Sequence, residues 1–435
     1  MRRASLVFAG ALPILFIHAR YQPGFTLHAG GTHVDVRLSD LAVAAVVAVA
    51  LVAGARTRFS ALRAGRAVWA TAAAFLAFTF VATFYPLAFA HGYPWKTHLV
   101  TAFKYTEYAL LAPAVALLLR KRSDLHLLLV AFVLVSVAAT TVGLLQFFGI
   151  PILNHWPAGG RQPSFVGVDD FGALSAATYA IALGSVAIGP RSLFERRLTW
   201  VAGIAGGLGA ICSGALAGVI GVLLATAAAA IIGRRWRLLD MRRAVVLGLM
   251  AAAVLGGGIM MRGAALTHFA HFLGIGHESQ PGNVESYSQR WVLDYIGLRM
   301  FEDRPILGQG WQSGYDEEAY GPYLAAAKQK FPSQPSLAFP SPQHSWGIQN
   351  AYVEALAELG IVGFALFAAM ILTGLGAAVR KLLRGPPLPL TAALVGLLWL
   401  LVAGGVWNSL WLIAGNPFDA IIWLAFGLAA IPRER

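Results

Sequence analysis

Charge is what this sequence lacks. Asp, Glu, Lys and Arg make up only 12% of its 435 residues, about half the share found in a soluble protein of ordinary composition. A water-exposed globule is therefore a poor description of the chain. Cysteine is nearly absent as well. The single Cys212 excludes a disulfide framework and any paired-cysteine metal site. There is also no soluble domain, no low-complexity linker and no convincing internal repeat. The missing repeat counts against a transporter built from two similar halves.

What is present is apolar. Hydrophobic residues account for 58% of the chain, and the mean hydropathy is +0.66. Apolar runs recur near the length that crosses a bilayer core, at roughly 5–18, 38–55, 67–90, 97–119, 125–149, 171–189, 198–212, 214–232, 243–261, 349–376, 388–406 and 416–431. The expected fold is all-α and integral to a membrane. It is a bundle of about twelve transmembrane helices with one large extracytoplasmic loop containing short helices. In this reading 1–261 holds helices one to nine, 262–348 is the loop and 349–435 holds the last three. The turn at Ser213-Gly214 is so short that it predicts a tight helical hairpin. Met1-Arg2-Arg3 and the apolar run behind it read as a retained first helix, because no small-x-small cleavage site precedes a soluble domain.

Charge placement supports this topology. With the N-terminus inside, basic clusters such as Arg56, Arg58, Arg63 and Arg66, or Arg234, Arg235 and Arg237, fall on cytoplasmic ends. Most of the 33 basic residues follow the same alternation. This is the positive-inside pattern, and it puts both termini in the cytoplasm and the large loop outside. The net charge of +13 then reflects topology and contact with anionic membrane lipids. It does not imply a nucleic-acid partner, since no basic cluster is interleaved with a groove-reading module. Gly203, Gly206, Gly207 and Gly209 predict close helix packing.

Few polar residues carry chemistry. Lys104 and Glu107 sit one turn apart inside the fourth span, where a charge is costly and normally paired. They form either a mutually satisfied pair or a point where Lys104 meets an anionic headgroup. Arg161, in the loop after the fifth span, is either solvated or a clamp for phosphate oxygens, to which guanidinium offers a planar fork. His268, His271 and His277 lack the spacing of a zinc site. Asp316-Glu317-Glu318 reads as a solvated acidic turn, with a hard cation as the alternative. The large loop carries eight of the twenty acids. It also holds Tyr287-Ser288-Gln289-Arg290-Trp291, then Pro305-x-x-Gly308-x-Gly310, a Pro-rich run and His344. Gln349-Asn350 follows and leads into Glu358-x-Gly360-x-x-Gly363 at the tenth span.

These residues resemble the O-antigen ligase and O-antigen polymerase superfamily of bacterial membrane glycosyltransferases. The resemblance rests on the span pattern, Gly143-Leu144-Leu145-Gln146-Phe147-Phe148-Gly149, the Arg161 loop, Arg290 with Pro305-x-x-Gly308-x-Gly310, and Asn350 to Gly363. Two departures stand out. The family usually has His-Asn where this chain has Gln349-Asn350, and often Ser-Arg where it has Ser213-Gly214. The resemblance implies an inverting, metal-independent and cofactor-free enzyme in the bacterial cytoplasmic (inner) membrane. It would move a glycan from a polyprenyl-diphosphate-linked donor to a hydroxyl of a lipid- or carrier-linked glycan acceptor. It implies that Arg290 and Arg161 bind the leaving diphosphate and that His344 serves as general base. Lys104, Gln349, Asn350 and Tyr287 are the expected substrate contacts. A polyprenyl-lipid or small-molecule transporter, or a non-catalytic scaffold in envelope assembly, are the alternatives.

Overall fold

The computed structural model describes residues 2–29, 32–90, 92–119, 121–153, 156–190, 192–272, 286–345, 347–384, 388–405 and 417–431. The described chain is mostly helical. It begins with α1 (Arg2–Leu15), then an antiparallel hairpin of β1 (Gly24–Ala29) and β2 (Thr32–Arg37), followed by α2 (Leu38–Ala55) and α3 (Arg66–Phe84). Next come α4 (Trp95–Ala109), α5 (Leu111–Leu118), α6 (Arg122–Phe147), α7 (Val168–Ile188), α8 (Leu193–Ser213) and α9 (Leu216–Arg235). The second half has α10 (Met241–Phe272), α11 (Ser286–Asp303), α12 (Glu317–Tyr320), α13 (Leu324–Lys330), α14 (Ala351–Leu383), α15 (Pro389–Gly404) and α16 (Pro417–Ala430).

Among the described residues, seven helices are long and apolar enough to cross a membrane: Leu38–Ala55, Ser60–Ala88, Arg122–Phe147, Val168–Ile188, Gly218–Arg235, Met241–Gly263 and Ala351–Leu383. Ala4–Leu15, Pro389–Val402 and Asp419–Ala430 are apolar but shorter. Each predicted span overlaps a helix among the described residues, but not every one forms a single helix long and apolar enough to cross a membrane. The fourth is split into α4 and α5 at Leu110, and the seventh, α8, opens on Glu195, Arg196 and Arg197 and is not one of the seven. At the expected loop start, Arg262 leaves helical geometry at φ −126 and ψ 18; the candidate span ends at Gly263 and a second helical stretch runs from the kink to Phe272.

The all-α expectation needs one correction, the β-hairpin. Its strands pair in register from Gly24 with Arg37 to Ala29 with Thr32. The signal was in the sequence: Gly30-Gly31 lies between two short runs rich in Val, Thr and Phe, a recognised hairpin pattern.

Small residues set the packing at the centre. α7 is buried along almost its whole length. A methyl group at Gly206 of α8 would fall 2.6 Å from Tyr179 N on α7, so the two backbones touch, as predicted for this Gly-rich stretch. α8 ends at Ser213, and Gly214 caps it in the left-handed conformation at φ 57, a geometry that favours Gly. This is the predicted hairpin.

Lys104 finds a partner that its sequence position did not indicate. Its Nζ donates to Oδ2 of Asp40 on α2 at 2.8 Å instead of pairing with Glu107 on its own helix. Asp40 also accepts from Arg37 N at 2.8 Å, so it ties the hairpin, α2 and α4 together. Lys104→Met should destabilise the protein by about 1–3 kcal/mol, because it leaves a buried carboxylate without its cation. Lys104→Met combined with Asp40→Asn should be milder than the sum of the single changes. Thermal unfolding of the four proteins in detergent checks this, and strict additivity would break the assigned pair.

Candidate functional site

The site is built where α11 meets the start of α14. Arg290 and Asp294 stand four residues apart on α11 and so share one helix face. Asn350 is the N-cap of α14. It has extended backbone, and its Oδ1 accepts from the N–H groups of Tyr352 at 3.1 Å and Val353 at 3.3 Å, the usual work of Asn at a helix start. With its carbonyl so used, its amide nitrogen points the other way. Nδ2 donates to Asp294 Oδ2 at 3.2 Å. One residue earlier, Gln349 Oε1 accepts from Arg290 Nε at 3.0 Å. Two side-chain rungs therefore join α11 to α14. The Gln349 rung holds the guanidinium through its Nε.

A second cation stands nearby. Arg161 donates from Nε to Ser213 O at 3.2 Å and from Nη2 to Asp169 Oδ1 at 2.9 Å. Its stem crosses the α8–α9 hairpin, where a methyl group at Gly214 would fall 2.7 Å from Arg161 Cγ. Where the resemblance expects an Arg after Ser213, this chain has Gly214, and the Arg161 side chain fills the place. Arg161 and Asp169 both act electrostatically on Arg290. Burial is the main influence on Arg290 and lowers its pKa. Asp169 opposes that shift, Arg161 adds to it and Asp294 opposes it. A guanidinium remains charged under such influences, so the site holds two fixed cations.

The two Gly motifs have a structural reason for occurring together. α14 is broken at Gly360, with φ 63 and ψ −169. The break leaves backbone groups unpaired inside a span, which is tolerated only where protein satisfies them. The Pro305–Gly310 segment does so. Ile361 N donates to Pro305 O at 2.8 Å and Val362 N to Ile306 O at 3.2 Å. In the other direction Gln309 N donates to Ala357 O at 2.9 Å and Gly310 N to Glu358 O at 2.8 Å. The buried carboxylate of Glu358 completes the clamp by accepting from Gln312 N at 2.8 Å and Gly314 N at 3.1 Å. Beyond it, the fully buried Trp311 plugs the segment into the bundle, donating from Nε1 to Thr101 Oγ1 on α4 at 2.9 Å. The motif residues thus hold α11 and the start of α14 in fixed relation.

The structure brings Arg161, Arg290, Gln349 and Asn350 together. Tyr287 lies in the first turn of α11, and its side chain is outside the described residues. The side chains of His268 and His271, and all of His277, are outside them too. His344 is exposed and closes a tight turn in which its N–H donates to Ser341 O at 2.9 Å. Lys104 belongs with Asp40 under the β-hairpin, not with this cluster. Asp316 is not a purely solvated acid, since its Oδ2 meets His98 Nε2 at 3.0 Å. Sequence reasoning missed Asp294, Asp169 and Glu358 as functional or organising groups. For Asp294, the i,i+4 spacing from Arg290 was the available signal.

Residues 201–368 match a family model described as O-antigen ligase. The matched stretch contains the Ser213-Gly214 hairpin, α11 with Arg290 and Asp294, the Pro305–Gly310 segment, Gln349-Asn350 and the break at Gly360. Arg161 and Lys104 lie before it. No curated protein matches the chain. The chain is an integral membrane protein, and over this stretch it is similar to the O-antigen ligase family.

Proposed function

We propose that this protein transfers a glycan from a polyprenyl diphosphate carrier to a sugar hydroxyl at the outer face of the bacterial cytoplasmic membrane. The topology this reading uses has twelve spans, both termini in the cytoplasm and 262–348 outside, as the charge alternation favours. The observation that carries the reading is the convergence of Arg290 and Arg161 at the start of α14, with Asp169 the acid bound to Arg161. Breaking a bond from an anomeric carbon to a diphosphate builds negative charge on the leaving oxygen. Fixed guanidinium groups stabilise charge at that point in the reaction. The diphosphate ester supplies the driving force, so no nucleotide is needed on the outer side. Direct displacement by the acceptor hydroxyl inverts the anomeric centre. The hydroxyl also needs a proton acceptor within hydrogen-bond reach. His344, on the loop that leads to Gln349, is the candidate offered by the sequence.

The test is turnover by the purified protein, with a lipid extract of the source membranes supplying donor and acceptor. Acceptor-dependent release of polyprenyl diphosphate supports the reading. Lipid movement across a vesicle without release would make the protein a transporter, and neither activity would leave a scaffold. In a deletion strain, loss of glycan-capped lipid identifies a ligase, and accumulation of single repeat units identifies a polymerase.

A further inference from the structure

We propose that Asp294 is the proton acceptor for the attacking hydroxyl, an assignment that rests on the glycan-transfer reading. Asp294 lies four residues after Arg290, about 6 Å along the helix and on the same face. A carboxylate there stands beside the guanidinium that would hold the diphosphate, and hence beside the anomeric carbon bonded to it. Its two oxygens are used unequally. Oδ2 accepts from Asn350 Nδ2 at 3.2 Å, whereas Oδ1 is buried and has no hydrogen-bond partner among the described residues. A buried carboxylate oxygen left unfilled is rare in folded proteins. It is a site for an incoming donor, and a sugar hydroxyl is one. The Asn350 rung keeps the carboxylate from rotating away when that donor is absent.

The neighbours cannot take the proton in its place. Gln349 is a neutral amide with its oxygen already engaged by Arg290, and an amide accepts no proton near neutral pH. Burial raises the Asp294 carboxyl to about 6, against the opposing pull of the Asn350 hydrogen bond and of Arg290. A base tuned close to ambient pH is an effective one. Among the described residues the charged groups around it are few. Arg290 faces it on its own helix, neutral Asn350 faces it from α14, and Arg161 with Asp169 stands behind Arg290. The pieces packed on the apolar side of α11 present Tyr320, Ala327 and Phe339.

The step balances simply. An oxygen lone pair of the acceptor hydroxyl forms the new bond to the anomeric carbon. The bond from that carbon to the diphosphate oxygen breaks, and its electron pair leaves on the diphosphate. The hydroxyl proton passes to Asp294 Oδ1 and is later lost to water.

The experiment measures polyprenyl diphosphate release from the source-membrane lipid extract between about pH 5 and 8. A base acts when deprotonated, so the wild-type rate should fall as pH drops through about 6. Asp294→Asn should lower kcat by about 10²–10⁴-fold with little change in donor KM, and its residual rate should lose that acid limb. Asp294→Glu should restore part of the rate. Asp294→Asn turnover within about threefold of wild type, or a wild-type profile that is flat across the range, overturns the assignment. Loss of the acid limb in His344→Ala instead gives the role to His344. A wild-type protein that releases no polyprenyl diphosphate at all overturns the transfer reading itself, and this assignment with it.

Discussion

Arg290→Ala should cut the rate of glycan transfer by about 10²–10³-fold while the protein stays folded. The variant loses one hydrogen bond to Gln349, which costs folding only about 1 kcal/mol. It also loses a planar cation aimed at the leaving diphosphate, and that loss falls on the transition state. The effect should therefore appear in kcat more than in KM. Arg290→Lys should rescue only part of the rate. A lysine restores the charge but not the Nε contact, nor the two-pronged edge that matches phosphate oxygens. Arg161→Ala should be milder, because Arg161 is already shared with Asp169 and the Ser213 carbonyl. The readout is polyprenyl diphosphate release, with gel filtration as the folding control. Near-normal turnover in Arg290→Ala would remove Arg290 from the site and with it the main support for the functional reading.

The apolar helices were legible in the sequence because span length acts locally. A run such as 38–55 has to be helical in lipid whatever its neighbours do, and α2 occupies that range. The Ser213-Gly214 hairpin was legible for a similar reason, since a two-residue turn leaves no other geometry. The site was less legible because its geometry is tertiary. Arg290 and Gln349 are 59 residues apart, and nothing in the spacing shows which of the two neighbours, Gln349 or Asn350, each α11 side chain meets. Lys104 shows the opposite error. Its helix offers Glu107 one turn away, and a local argument selects that partner. The fold instead supplies Asp40, 64 residues distant, already held by the backbone of Arg37. The Gly motifs were recognisable as a pattern, but only the backbone ladder between Pro305–Gly310 and Ala357–Val362 explains why two stretches so far apart need Gly.

That ladder carries the largest expected effect on folding. Gly308 has φ 74, and a methyl group there would fall 2.5 Å from Leu359 N; Gly360 has φ 63, and its methyl group would fall 2.6 Å from Gly308 N. Each substitution would meet two separate penalties. The left-handed conformation costs a residue with a Cβ about 1–2 kcal/mol. The steric overlap is with backbone, which cannot swing aside as a long side chain would, so the segment has to lift off the helix. Lifting it breaks the exchange of N–H and C=O groups across the break in α14 and exposes them inside a span, where unsatisfied backbone is most costly. Gly308→Ala and Gly360→Ala should each destabilise by more than about 4 kcal/mol, the range reserved for severe core lesions. Both should give sharply reduced yields of folded protein. Gly376→Ala is the matched control, on the same helix but with nothing within 4 Å of an added methyl group. It should be neutral or slightly stabilising, since Ala is the better helix former by up to about 1 kcal/mol. Thermal unfolding of the three variants in one detergent separates the cases. A Gly360→Ala protein as stable as wild type would mean that the Pro305–Gly310 segment does not dock on α14 through these backbone contacts.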